Sequence, residues 1–172
     1  MADPFDIGGG QVNPDKVLDP GLIYDVSTQD YVDYLCAEGF GDSSLAILTH
    51  KKRSCGGRIK APLDLNLPSI SVPELRSGIK VGVTRTVTNV GAVDSVYKAT
   101  IEAPPGINVS VEPKTLRFSA GIKSLSYKLN FFSDEKLNGY YKFGSITWED
   151  GKHSVRSPIV ARVIALASYS DA

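Results

Sequence analysis

The fold is decided by residues 81–88, which read Val81-Gly82-Val83-Thr84-Arg85-Thr86-Val87-Thr88. Valines alternate there with threonines, and this period of two is typical of a strand with one buried face. The same period recurs between residues 69 and 163, and turn signals such as Asp150-Gly151 separate the stretches. The pattern predicts a seven-stranded β-sandwich. Its aromatic core would come from Tyr97, Phe118, Tyr127, Phe131 and Trp148.

The segment before the sandwich differs in composition and shows no period of two. Residues 1–26 are rich in proline and glycine, which predicts turns and extended chain. Two short helices are predicted at 27–40, capped by Ser27 or Thr28, and at 43–50, capped by Asp42. Their packing faces would be formed by Tyr31, Tyr34 and Leu35 and by Leu45, Ile47 and Leu48. The predicted fold is therefore mostly β, with an irregular segment and two short helices before the sandwich.

Composition excludes several classes of protein. The 172 residues carry 19 basic and 19 acidic side chains, so no overall charge attracts nucleic acid. Residues 1–60 have a net charge of −3 and residues 61–172 of +3. The basic run at 51–53 is interpreted as a solvated helix end rather than a nucleic-acid patch. No apolar stretch is long enough to span a membrane, and the first residues lack the features of a secretory leader.

Few residues suit catalysis or metal binding. With two histidines and two cysteines, no metal or cofactor site is predicted. His153 lies near Asp150, but no serine has the glycine-flanked setting of an exposed nucleophile, so no catalytic residue is predicted. Cys36 and Cys55 form either one bridge, which would contribute about 3 kcal/mol, or two free buried thiols. Asn108-Val109-Ser110 is a sequon for N-glycosylation.

Motifs along the whole chain match one family in order. They are found at 2–6 (Ala-Asp-Pro-Phe-Asp), 8–10, 12–14, 19–25 (Asp-Pro-Gly-Leu-Ile-Tyr-Asp), 30–36, 64–70 (Asp-Leu-Asn-Leu-Pro-Ser-Ile), 84–91 (Thr-Arg-Thr-Val-Thr-Asn-Val-Gly), 97–99, 143–148 (Phe-Gly-Ser-Ile-Thr-Trp) and 157–159. On these residues the chain resembles plant subtilisin-like serine proteases. The resemblance covers essentially its full length.

The resemblance implies a division of the chain. Residues 1–60 resemble the tail of a subtilisin-like catalytic domain with its exit segment, and 61–68 would be a linker. Residues 69–166 resemble a fibronectin type III-like sandwich, and 167–172 would be a flexible C-terminus. The family pairs cysteines at the positions of Cys36 and Cys55. Its catalytic Asp, His and Ser motifs have no matching position here, so we expect no peptidase activity from the chain itself.

The expected function follows from the resemblance. The chain would be a non-catalytic C-terminal module of a serine endopeptidase, stabilising the catalytic domain and shaping substrate access. Its partner would be a subtilisin-like catalytic domain, in cis or in trans, in the extracellular space or apoplast. Apolar side chains of the exit segment would then pack on that domain and be exposed here: Phe5, Ile7, Leu22, Ile23 and Tyr24. Two alternatives are a standalone extracellular module that docks on a protease or cell-wall protein, and a fragment of an active endopeptidase.

Overall fold

Two β-sheets packed face to face dominate the computed structural model, which describes residues 3–55, 61–135 and 139–164. One sheet has the strand order β1-β3-β7-β5 and is antiparallel throughout. The other has the order β2-β9-β8-β4-β6, in which only β2 and β9 run parallel. The strands are β1 (Leu22–Ile23), β2 (Ile70–Arg76), β3 (Val81–Asn89), β4 (Ser95–Glu102), β5 (Asn108–Glu112), β6 (Thr115–Phe118), β7 (Ser124–Phe132), β8 (Tyr141–Glu149) and β9 (Ser154–Ile164).

The prediction of a mostly β sandwich is confirmed, but its count of seven strands was wrong. The described residues form nine strands. Eight of them, β2 to β9, coincide with periodic stretches of the sequence, so the count was already one too low there. The ninth, β1, lies in the segment predicted as irregular, because a two-residue strand has no period to detect.

The core of the sandwich is aromatic, as the alternation predicted. All five predicted aromatic side chains are buried, and Trp148 and Tyr127 pack edge to face with their ring centroids 5.1 Å apart. Each buried aromatic ring of this size removes about 150–250 Å² from water, so these side chains supply much of the hydrophobic stabilisation. The aliphatic residues between them close the core from both sheets.

Among the residues that the structure describes, four α-helices lie before the sandwich: α1 (Pro4–Ile7), α2 (Pro14–Val17), α3 (Thr28–Ala37) and α4 (Asp42–Thr49). The predicted cap of α3 is present, since Ser27 and Asp30 form a reciprocal capping box. The single turns α1 and α2 were not predicted. Each begins at a proline, which suits the first helical position, and Asp3 caps α1.

The predicted packing face of α3 was right only for Leu35, which packs beside the buried residues of the helix. The structure buries Val32 and Cys36, while Tyr31 is half exposed. Cys36 points inward because it is joined to Cys55 in a disulfide. In α4 only Leu45 is buried, and Ile47 and Leu48, which were expected to pack, are exposed.

Candidate interaction surface of the N-terminal segment

Residues 3–25, here called the N-terminal segment, contact the sandwich at their carboxyl end. β1 pairs with β3, and the Val90 amide donates to the Gly21 carbonyl at 2.9 Å. Leu22 is only 3% exposed and joins the sandwich core. The Tyr24 hydroxyl lies 2.7 Å from that of Tyr127 and 2.8 Å from that of Ser157. The expectation that Leu22 and Tyr24 pack on another domain is therefore wrong, because the sandwich itself holds them.

A cluster of polar side chains makes the second attachment, and we call it the His153 cluster: Asp19, Tyr97, Asp150, Lys152 and His153. The predicted Asp-Gly turn between β8 and β9 builds it. Asp150 Oδ1 accepts hydrogen bonds from the backbone amides of Lys152 and His153 at 2.9 and 2.6 Å. Asp150 Oδ2 accepts Nδ1 of His153 at 2.8 Å. Gly151 allows this turn with a φ of 92°.

Asp19 links the N-terminal segment to this turn. Its Oδ1 lies 3.0 Å from His153 Nε2, and its Oδ2 pairs with the Lys152 ammonium. The Lys152 and His153 side chains hold the pKa of Asp19 below its usual range. The Asp150 carboxylate raises the pKa of His153, against its burial, and Asp19 adds to that rise. Burial favours the acid form of Asp150, but hydrogen bonds from His153 and Lys152 outweigh it and depress the pKa of Asp150.

The geometry of His153 is that of an ion pair rather than of a catalytic base. An Asp–His pair prepares a base only when the second ring nitrogen faces a nucleophile. Here Nε2 faces the Asp19 carboxylate, which stabilises the imidazolium. The cluster therefore acts as an electrostatic attachment between two parts of the chain.

Gly21 is required for the N-terminal segment to approach the cluster. A Cβ at this position would lie 2.7 Å from both His153 Cγ and the Tyr97 hydroxyl oxygen, and φ is +76°. We expect Gly21→Ala to cost about 1–3 kcal/mol of unfolding free energy, since strain and overpacking add. Urea unfolding measures this change. Gly78→Ala is the matched control, because φ is +75° with open space around the position, so an equal loss there would refute the close-contact argument.

The His153 cluster also predicts a pH dependence of stability. The pKa of His153 is raised from 6.5 in the folded protein. The stabilisation that its ion pairs give the fold is therefore present below pH 6.5 and is lost as the pH rises through the pKa of the folded state. The pKa values of Asp19 and Asp150 are lowered, so the stabilisation that these two carboxylates give the fold is lost as the pH falls below about 4. We expect the thermal midpoint to be highest at weakly acidic pH. His153→Gln should flatten the decline on the alkaline side, whereas His50→Asn should leave it unchanged.

Residues 61–68, predicted as a linker, lie along β3 through side-chain contacts. The Asp64 carboxylate accepts the Thr84 amide at 2.7 Å. The Asn66 amide group accepts from the Thr86 amide at 2.7 Å and donates to the Thr86 carbonyl at 2.8 Å. It also donates to the Asp25 carbonyl at 3.0 Å, so one side chain joins three parts of the chain.

Arg85 organises the same region from inside. It is 4% exposed, and its guanidinium donates to four backbone carbonyls at 2.7–3.1 Å, those of Leu63, Leu67, Ser69 and Thr84. Burial lowers the pKa of Arg85, and the nearby Tyr127, Asp64 and Tyr24 oppose that shift. The buried cation is thus satisfied by carbonyl dipoles rather than by a carboxylate partner.

The helices α3 and α4 form a small unit around the disulfide between Cys36 and Cys55. Its buried residues are Val32, Cys36 and Leu45, with Leu35 and Cys55 packed beside them. The Cys55 amide donates to the Asp42 carboxylate at 3.0 Å, which fixes the chain that leaves α4. A core of this size is too small to fold alone.

Exposed apolar side chains are concentrated before residue 51. Of the 17 large exposed hydrophobic residues in the described ranges, nine lie there. Phe5 is 64% exposed although it packs against Tyr141 and Phe143, and Leu18 is 92% exposed. The nine are Phe5, Ile7, Val12, Val17, Leu18, Tyr31, Phe40, Ile47 and Leu48. Exposed apolar side chains that form one contiguous patch mark an interaction surface, so these nine are the candidates for such a patch.

The predicted glycosylation residue, Asn108, is exposed and is the first residue of β5. In the described part of the chain, no helix is long and apolar enough to cross a membrane, and no cluster of three or more His, Cys, Asp or Glu suits a metal ion.

Comparison with known proteins agrees with the two-sheet architecture. The model of the family described as "Fibronectin type-III domain" matches residues 64–161. The chain belongs to the fibronectin type-III domain family. The predicted resemblance to plant subtilisin-like proteases is also confirmed. Subtilisin-like protease SBT3.2 of Arabidopsis thaliana is 48% identical over 171 residues, which cover 99% of this chain and 23% of that protein.

Subtilisin-like protease SBT3.11 of the same plant is 48% identical over 173 residues, covering 99% of this chain and 22% of that protein. The fibronectin type-III chain thus spans less than a quarter of the curated relatives it matches, in their C-terminal part. Among solved structures, the ASH/PapD-like domain of human CEP192 aligns with a TM-score of 0.46 at 15% identity, covering 67% of this chain and 99% of that one.

Sequence reasoning missed two residues that hold the chain to the sandwich, Asp19 and Arg85. It placed His153 beside Asp150 but had no signal for Asp19, which is 134 positions away. Arg85 did carry a signal, because it shares the core-facing side of β3 with Val83 and Val87. A charged residue at such a position indicates a buried polar contact.

Proposed function

We propose that this fibronectin type-III chain is a non-catalytic module that packs on the catalytic domain of a subtilisin-like protease and stabilises it. The observation that carries the proposal is the N-terminal segment, which is held by the sandwich at residues 19–24 and yet exposes apolar side chains such as Leu18. The relatives that share nearly the whole chain are subtilisin-like proteases. The exposed set would become the interior of an interface between the two domains.

The proposal includes an extracellular location. It is supported by the Cys36–Cys55 disulfide, since such bonds persist in oxidising compartments. The small unit of α3 and α4 depends on that bond, so the interaction surface would be complete only outside the cytosol.

The test is binding in trans to the catalytic domain of a related protease, expressed without the region that this chain matches. We expect association and a higher thermal midpoint for the catalytic domain. Leu18→Asp and Ile47→Asp should each weaken binding about tenfold or more, because a charge would enter an apolar interface. Both side chains are more than 70% exposed, so neither change disturbs the fold.

Ile79→Asp is the matched control, because Ile79 is an exposed apolar residue between β2 and β3, at the end of β3 opposite to the one that pairs with β1. It should bind as the unmodified chain does. Absence of binding by the unmodified chain, or equal weakening by all three substitutions, contradicts the proposed function.

A further inference from the structure

The strand β5 forms the end of its sheet. In the ranges that the structure covers, it pairs with β7 on one side only. An edge of this kind presents unpaired backbone groups, which promote pairing with other chains unless something covers them. β5 is short, with five residues, but contains the apolar residues Val109 and Val111.

The sequon lies on the outer face of this strand. Val109 and Val111 face the core, so Asn108 and Ser110 both point outward, and both are exposed. Asn108-Val109-Ser110 is the one Asn-X-Ser/Thr sequence in the 172 residues. Both the acceptor amide and the hydroxyl that the sequon requires are therefore accessible on one surface.

A hollow beside Asn108 adds an independent observation. Its volume is about 510 Å³, and half-buried Phe132, the cross-strand neighbour of Asn108, is part of its wall. Polar side chains surround it: Lys80, Glu112 and Asn130. An aromatic ring with polar groups around it suits a sugar, which has an apolar ring face and a rim of hydroxyl and amide groups.

We propose that Asn108 carries an N-linked glycan whose first N-acetylglucosamine packs on Phe132 and covers the free edge of β5. The bond that forms joins Asn108 Nδ2 to the anomeric carbon of that sugar. The bond that breaks joins the same carbon to a lipid diphosphate carrier, which leaves with its electron pair, while the amide loses one proton to a base. The donor is a lipid-diphosphate-linked oligosaccharide. The modification rests on the proposed function only for entry of the chain into the secretory pathway.

The first experiment is secretion of the full chain from eukaryotic cells behind an added cleavable leader. We expect the intact mass of the chain and of Ser110→Thr to exceed the polypeptide mass by one glycan, which peptide-N-glycosidase removes. Ser110→Ala and Asn108→Gln should have the polypeptide mass. A secreted chain without added mass would overturn the proposal. Because the leader is supplied, this result does not depend on whether the chain binds a catalytic domain.

The second experiment tests whether the first sugar packs on Phe132. Thermal midpoints of the glycosylated chain and of Ser110→Ala are compared, with and without Phe132→Ser. We expect the glycan to raise the midpoint by about 3 °C, and most of this gain to disappear when Phe132 is replaced. Tyr140→Ser, at another exposed aromatic residue, should preserve the gain. An equal gain with and without Phe132 would refute packing on that ring.

Discussion

Replacing Arg85 with methionine is expected to lower the free energy of unfolding by about 3 kcal/mol. The substitution removes the donors of four backbone carbonyls, and each buried acceptor left unpaired costs about 1–3 kcal/mol. The loss of stability stays below four times this cost, because Leu67 and Ser69 are exposed. Water can therefore replace part of the hydrogen bonding that their carbonyls lose. Chemical denaturation measured by Trp148 fluorescence gives the value.

Two further variants make this result specific. Arg85→Lys keeps the charge but has no planar fork to reach separate carbonyls, so we expect it to lose nearly as much stability. Arg117→Met removes an exposed arginine from β6 and should change the free energy by less than about 0.5 kcal/mol. If Arg85→Lys matches the unmodified chain, the four-carbonyl arrangement is not what stabilises residues 61–69.

Removing the disulfide is expected to unfold α3 and α4 while leaving the sandwich intact. The bond closes a loop worth about 3 kcal/mol, and the three buried side chains of that unit cannot replace it. In a Cys36→Ser/Cys55→Ser double variant, protection of the amides of residues 28–49 should fall by roughly 100-fold. Hydrogen exchange read by mass spectrometry measures this.

Ala37→Ser is the control for the double variant, since it places a serine in α3 and preserves the bond. It should keep its amide protection, and reduced unmodified chain should behave like the double variant. Equal loss of protection in β3 and β7 would show that the helices and the sandwich unfold together, contrary to this prediction.

The success of the sequence-based prediction varied with the range of the interactions. Strands such as β3 and β7 were found because each has one buried face, which produces a period of two in the chain itself. The Asp150-Gly151 turn is likewise a local feature. β1 was missed because its two residues become a strand only by pairing with Asn89 and Thr88, far along the chain.

The helices and the interaction surface show the same limit. Aromatic spacing favoured Tyr31 as a buried residue of α3, but the disulfide turns Cys36 and Val32 inward instead. The exposed apolar side chains of the N-terminal segment were expected as a group. Tyr24 instead packs on the sandwich, because its hydroxyl pairs with that of Tyr127. No local pattern in the sequence encodes this contact.

The contacts of Arg85 and Tyr24 have a consequence for where this domain begins. The family match starts at residue 64, one position after Leu63, whose carbonyl binds the Arg85 guanidinium. Tyr24 and β1, which complete the hydroxyl network and one sheet, lie 40 positions further upstream. The region that the family model matches and the set of residues that pack together in the structure therefore have different borders, and the second one reaches back to Asp19.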